Sequence, residues 1–267
     1  MVYVEFLAFS LPHYITIEKG SWYTINGEKM KNFLVVNDDG YLDQGIQILK
    51  DALRKFGNVY MVSPIEEQSG MSHRVSIFSK VVTLKVLSDT ELVIDGSPAD
   101  CTRFGLDYFK DVNFDYVFSG VNNGANLGQD VFYSGTVAGA MEGALHNIPA
   151  AAFSVGSKNH FSIVRRHIDE VIAFVLDENR LRPGVMLNIN FPNHKHDVMR
   201  GIRFTKQGVK ETKVHFDAVQ GGYLNRYEFL SRRDEEDDDF YAVNHGYVAI
   251  TPVITDRTDY EYLKGAK

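Results

Sequence analysis

The 267-residue sequence predicts an α/β fold, a mostly parallel sheet with helices on both faces, followed by an extended β-rich C-terminal arm. Three observations carry that expectation. Short apolar runs of strand length alternate with segments of helical period between residues 33 and 190. Several runs are continuously apolar, as strands covered on both faces are. After Phe191-Pro192 the composition turns polar and loop-rich, with little obvious helix.

Phe33-Leu34-Val35-Val36 is the first run, and it stops at Asn37-Asp38-Asp39-Gly40. Ile46, Leu49, Leu53 and Phe56 then share one face of a helix ending at Gly57, and Val59-Tyr60-Met61-Val62 forms the next strand. A strand, helix, strand unit makes the two strands parallel, with a right-handed crossover. Between Val75 and Val93 the segments Val81-Val82-Thr83-Leu84 and Leu92-Val93-Ile94 predict an antiparallel excursion from the main sheet. A strand over residues 114–118, a helix over 136–147, a strand over 149–155, a helix over 161–176 and a strand over 185–190 continue the alternation. Beyond them, strands are expected at 202–205 and 247–250. The stretch 206–241 is long enough for a projecting arm or a partner-binding element. The expected organisation is a leader (1–29), an α/β core (30–192) and a C-terminal extension (193–267) that completes the fold and serves as an oligomerisation arm.

Composition excludes several classes. With 28 basic against 35 acidic side chains the formal net charge is −7, which lacks the broad positive field that non-specific nucleic-acid or anionic-membrane binding needs. An anionic ligand therefore requires a local cation. Apolar residues at 44% with 24% charged exclude a disordered chain. No stretch reaches the roughly 18 apolar residues of a membrane span, and the single cysteine, Cys101, forms no internal disulfide. A cytoplasmic protein is the expectation. The leader has no basic start and no small-residue cleavage pattern. Gly27-Glu28-Lys29 ahead of Met30 can be encoded as a ribosome-binding sequence before a start codon, so Met30 is the expected native start. An intact mass beginning earlier would count against that.

The strongest chemical signal is Asn37-Asp38-Asp39-Gly40, which places adjacent carboxylates where a buried strand ends. Adjacent acids repel, so a cation is one economical answer, and a plain turn is the other. Ser63-Pro64-Ile65-Glu66-Glu67-Gln68-Ser69-Gly70 and Ser119-Gly120-Val121-Asn122-Asn123-Gly124-Ala125-Asn126-Leu127-Gly128 also follow expected strands. In a parallel sheet all three loops meet at one edge, in the crevice where such folds bind ligands. Carboxylate, hydroxyl and amide oxygens are hard donors suited to Mg²⁺, Mn²⁺ or Ca²⁺. Tyr133-Ser134-Gly135-Thr136 precedes a helical run; it is either a simple cap or, beside a metal, a phosphate site built from N–H groups and hydroxyls.

Other candidates are weaker. His194-Lys195-His196 reads as surface, Asp234-Glu235-Glu236-Asp237-Asp238-Asp239 as a solvated loop, and Cys101 has no partner for nucleophilic catalysis. His73 and Arg74 face either the crevice or solvent. No G-x-S-x-G, Walker A or G-x-G-x-x-G sequence is present.

Taken together, Asn37-Asp38-Asp39-Gly40, Gln68-Ser69-Gly70, Gly96-Ser97-Pro98-Ala99-Asp100-Cys101, residues 119–122 through 133–137, Leu187-Asn188-Ile189-Asn190-Phe191-Pro192 and Gly246-Tyr247-Val248-Ala249-Ile250-Thr251-Pro252 resemble the survival protein SurE family in order and spacing. The resemblance runs from Met30 to about Tyr260. It implies a Rossmann-like domain, a metal-dependent 5′-nucleotidase acting on nucleoside monophosphates, and a homodimer or homotetramer formed through an exchanged C-terminal segment. It implies one divalent cation per subunit held by Asp38, Asp39, Ser69 and Asn122, with Asn126, Ser134, Gly135 and Thr136 around the phosphate and Asp38, Asp39, Asn126, Ser134 and Thr136 as the catalytic set. The chain departs from the family at Asp43-Gln44, where Ala-Pro commonly stands, adding a charge near the metal edge. Two other classes use such a site: a metal-dependent glycosyltransferase acting on a nucleotide sugar, and a nucleotide sensor without turnover.

Overall fold

The computed structural model describes residues 30–77, 81–177, 180–233 and 235–265, and two short strands ahead of them. Those two, β1 (Tyr14–Glu18) and β2 (Ser21–Thr24), pair antiparallel as a separate sheet. The rest of the leader lies outside the described residues.

The elements that follow are β3 (Lys31–Val36), α1 (Gln44–Leu53), β4 (Gly57–Pro64), β5 (Leu84–Ser88), β6 (Glu91–Ile94), α2 (Pro98–Tyr108), β7 (Tyr116–Asn122), a 3₁₀ turn (Gly128–Phe132), α3 (Gly135–Leu145), β8 (Ala150–Ser154), α4 (Phe161–Leu176) and β9 (Val185–Asn190). The C-terminal part adds β10 (Gly201–Phe204), β11 (Lys210–Val219), β12 (Gly222–Arg232), α5 (Asp239–Asn244), β13 (Tyr247–Ile254) and α6 (Tyr260–Gly265).

Nine strands form one sheet in the order β10-β13-β9-β8-β7-β3-β4-β6-β5. The six from β9 to β6 are mutually parallel, β13 runs antiparallel to β9, and β5 antiparallel to β6. The α/β class with a mostly parallel sheet is therefore the observed one. Alternation along β3 explains the two layers. Phe33 and Val35 join a core with residues of α1 and α4, whereas Leu34 and Val36 join one with residues of α2 and α3. The chain runs outward from β3 to β4 and β6, then returns through α2 to β7 on the other side of β3. Strand order thus reverses between β3 and β7, the switch point at which open α/β sheets bind ligands.

Several expectations shift. The helix expected to run to Gly57 ends at Leu53, because Lys55 N–H turns to the Ala52 carbonyl (3.2 Å) and Phe56 N–H to Leu53 (2.8 Å), tightening the last turn. The excursion is antiparallel only in β5; β6 pairs parallel with β4 and belongs to the main sheet. The helix expected to reach Asn147 stops at Leu145, with Asn147 at φ 60 in the left-handed conformation that terminates helices. Helix α2 was not expected at all. A capping box starts it, with Ser97 Oγ accepting from Asp100 N–H and Asp100 accepting from Ser97 N–H, and Pro98 follows the cap. The 206–241 stretch does carry an arm: β11 and β12 form a hairpin exposed throughout residues 213–232. The acidic run there is not simply solvated, because Asp238 and Asp239 are buried. Among the described residues no helix is long and apolar enough to cross a membrane.

Candidate active site

Asp38 and Asp39 stand directly after β3, at the switch point. Asn37 shapes the turn: its amide donates to the Gly40 carbonyl (2.8 Å) and accepts from Ser63 Oγ of β4 (2.6 Å). Gly40 adopts φ +91, which a side chain would strain.

The loops that follow β4 and β7 are tied to this turn. Gln68 N–H donates to the Asp38 carbonyl (2.7 Å), bringing the adjacent Ser69 to the crevice. Asn123 N–H donates to Asp39 Oδ2 (3.0 Å), bringing Asn122 alongside. Asn122 gives its amide N–H to the Gly124 carbonyl (2.7 Å), and Ser69 Oγ donates to Glu67 (2.7 Å) on an exposed stretch.

The start of α3 closes the crevice. Asp38 is 3% exposed, and its Oδ1 accepts from Thr136 Oγ1 (2.5 Å). A Cβ built on Gly135 would stand 2.9 Å from Asp38 Cβ, so only glycine lets the helix approach this closely. Ser134 caps α3, its Oγ accepting from Val137 N–H (3.1 Å). With the Thr136 hydroxyl committed to Asp38, what Thr136 offers an anion is its backbone. Asn126 is buried and held on every side. Its N–H donates to Asn190 Oδ1 (2.9 Å), its carbonyl accepts from Asn188 (2.7 Å) and Asn190 (3.0 Å), and its amide donates to Ser154 (2.8 Å).

Burial dominates the electrostatics. It pushes the Asp38 carboxyl from 3.8 to about 7; the hydrogen bond from Thr136 opposes the rise and the neighbouring Asp39 charge adds to it. Burial also raises Asp39, against the Asn123 N–H, with Asp43 and Glu67 adding and the Lys158 charge opposing. The unusual Asp43 is itself raised by burial; its Oδ1 caps α1 through Gly45 N–H (2.6 Å).

These donors fit a divalent cation. Two carboxylates, one buried and costly to ionise alone, stand beside loops that carry neutral hydroxyl and amide oxygens, the hard set that Mg²⁺, Mn²⁺ and Ca²⁺ prefer. Among the described residues no group of three or more His, Cys, Asp or Glu is placed to hold a metal.

Sequence reasoning passed over Lys158, which lies four residues beyond β8 on the same sheet edge. The strand-end rule that selected the other loops also reaches it. It passed over the roles of Ser154, Asn188 and Asn190 as well, because each is defined by a partner far away in the chain. The remaining candidates are structural. His194 bonds Ser157 (2.9 Å), His196 the Asn244 carbonyl (2.8 Å), and Cys101 is buried with its thiol pushed well up by desolvation. His73 pairs with Glu142 (2.6 Å), and Arg74 is exposed.

The survival protein SurE family model matches residues 33–214. The 5′-nucleotidase SurE of Aquifex aeolicus is 36% identical over 246 residues, covering 89% of this chain and 98% of that protein. The 5′/3′-nucleotidase SurE of Serratia proteamaculans is 39% identical over 233 residues, covering 85% and 91%. The crystal structure of the SurE protein from Aquifex aeolicus superposes with a TM-score of 0.76 at 34% identity, covering 88% of this chain and 97% of that one.

Proposed function

The chain belongs to the survival protein SurE family, and on that premise we propose that it is a metal-dependent 5′-nucleotidase hydrolysing nucleoside 5′-monophosphates to nucleoside and phosphate. The observation that carries the proposal is the Asp38–Asp39 pair at the switch point, with Asp38 buried and the start of a helix against it.

Asp38, Asp39, Ser69 and Asn122 would hold a divalent cation, which would supply Lewis acidity toward a phosphoryl oxygen. The chain's own work is positioning and electrostatics. The N–H groups of Gly135 and Thr136, with Ser134 Oγ at the positive end of α3, receive phosphate oxygens. Thr136 Oγ1 fixes Asp38, and Asn126 keeps the 123–128 loop in place through Asn188 and Asn190. Lys158, whose charge already acts on Asp39, is the local cation that an acidic protein needs to attract an anion. Water is the nucleophile in this reading, because Asp38 Oδ1 is occupied by Thr136 and Asp39 Oδ2 by Asn123 N–H, which limits either carboxylate as an attacking group. A burst of nucleoside release with labelled phosphate retained on the protein would overturn that choice.

The hairpin supports a homodimer or homotetramer, since Phe216, Tyr223, Tyr227 and Phe229 are exposed on it; sedimentation equilibrium tests this. A cytoplasmic location completes the proposal, in keeping with the free Cys101. The deciding experiment incubates the protein with AMP, GMP, dGMP and an aryl phosphate, with EDTA or with added Mn²⁺ or Mg²⁺. Metal-dependent phosphate release from a nucleotide is expected. Nucleotide binding without turnover, or sugar transfer from a nucleotide sugar instead, would overturn the proposal.

A further inference from the structure

The segment that leaves β4 is fixed on both sides of Ser69. On one side Gln68 N–H is held by the Asp38 carbonyl (2.7 Å). On the other, Ser72 stands at φ 53, with its N–H on the Tyr133 carbonyl (3.0 Å) and its hydroxyl on the Phe132 carbonyl (2.7 Å), just ahead of α3. The backbone thus delivers Ser69 to the crevice. Where its hydroxyl points is a separate matter, because Ser69 is exposed and packing does not select its rotamer.

Glu67 sets that direction. Its Oε1 accepts from Ser69 Oγ at 2.7 Å, the usual length of an O–H···O bond, and a charged acceptor makes the bond stronger than a neutral one would. A serine hydroxyl has one proton and two lone pairs. A cation can meet only the lone pairs, so a serine left to solvent spends part of its time presenting its proton instead. With the proton on Glu67, the lone pairs are turned away from that carboxylate. Glu67 also stands within electrostatic reach of the acid pair: Asp39 is raised first by burial, and the charges of Asp43 and Glu67 add to the rise.

We propose that Glu67 is a positioning residue: by taking the Ser69 proton it holds the Ser69 oxygen ready as a ligand for the cation at Asp38 and Asp39. The inference rests on the metal-dependent nucleotidase reading above, and adds to it a residue that itself touches neither ion nor substrate. Hydrogen-bonded partners of this kind orient metal ligands, and losing one lowers metal affinity about 10–100-fold. Two substitutions separate the hydrogen bond from the charge. Gln at this position keeps an accepting oxygen without the charge, whereas Met keeps the length and loses both.

The readout is Mn²⁺ affinity of the metal-free protein, by calorimetry or, where binding is weak, by the EPR signal of the free ion. Glu67→Met is expected to weaken Kd about 10-fold or more. Glu67→Gln should recover most of that loss, which a purely electrostatic role would not allow. With Ser69→Ala in the background the Met and Gln variants should bind Mn²⁺ equally, because no proton is left to take. Urea denaturation in EDTA should leave both Glu67 variants close to wild type, since the side chain is exposed. Equal Kd for Glu67→Met and Glu67→Gln in the Ser69 protein would overturn the inference, reducing Glu67 to a charge. A difference between them that survives Ser69→Ala would also overturn it, by making residue 67 a direct ligand. Either result leaves the nucleotidase reading intact. Absence of Mn²⁺ binding by wild type removes that reading and the inference with it.

Discussion

Replacing Asp38 by Asn should stabilise the metal-free protein while removing its capacity to hold the cation. The carboxyl is 3% exposed, and burial pushes it from 3.8 to about 7. A group whose folded-state pKa lies above its unfolded value contributes stability that is complete below the unfolded value and is lost as pH rises through the folded one. The window is therefore pH 3.8 to about 7. At ~1.4 kcal/mol per tenfold change in proton affinity, ionised Asp38 costs the metal-free fold about 4 kcal/mol above that window. Asn has no proton to lose and keeps an oxygen for the Thr136 hydroxyl. Urea denaturation in EDTA across the window should show the wild type falling relative to Asp38→Asn as pH rises. Asp239, pushed by burial up to about 6, titrates in both proteins and cancels in the difference. Adding Mn²⁺ at about 100 times its Kd should return roughly 3 kcal/mol to the wild type and nothing to the variant. Parallel pH profiles, or equal stabilisation of both proteins by Mn²⁺, would refute the reasoning.

Three other outcomes are expected. Thr136→Val leaves a buried carboxylate without its donor and should cost about 1–3 kcal/mol in urea denaturation, whereas Thr136→Ser should retain most of the stability. Gly135→Ala puts a methyl 2.9 Å from Asp38 Cβ and 3.0 Å from its Oδ2; a strain of about 1–3 kcal/mol and a fall in kcat greater than the rise in KM should follow, read from denaturation and steady-state kinetics. Asp239→Ala orphans the N–H groups of Gly128 (2.8 Å) and Gly208 (2.9 Å). Each unpaired buried donor costs about 1–3 kcal/mol, and faster amide exchange at residues 126–130 should report the loosened loop.

Periodic elements were legible from sequence. The α4 helix and the β9 strand run over the residues their apolar patterns mark, because each has a long or fully buried apolar face. Helix α2 was not, since Asp100, Thr102, Arg103 and Asp107 interrupt the apolar pattern; its capping box was the available signal. The meeting of three loops was legible for a topological reason: parallel strands put their carboxyl ends on one edge, whatever the loop conformation. Side-chain direction was not. Thr136 and Ser134 stand two residues apart at the start of α3, yet one hydroxyl turns to Asp38 and the other to Val137 N–H. Asn126 meets Asn188 and Asn190 across 62 and 64 residues, a contact that the pairing of β7 with β8 and of β8 with β9 creates.

Calorimetric titration of Mn²⁺ into wild-type protein and Asp39→Asn tests the central claim most directly. The account predicts one saturable site per chain in wild type, lost or strongly weakened in the variant. Metal-dependent phosphate release should fall in the variant by ~100-fold or more. No heat in wild type, or undiminished binding by Asp39→Asn, would contradict it.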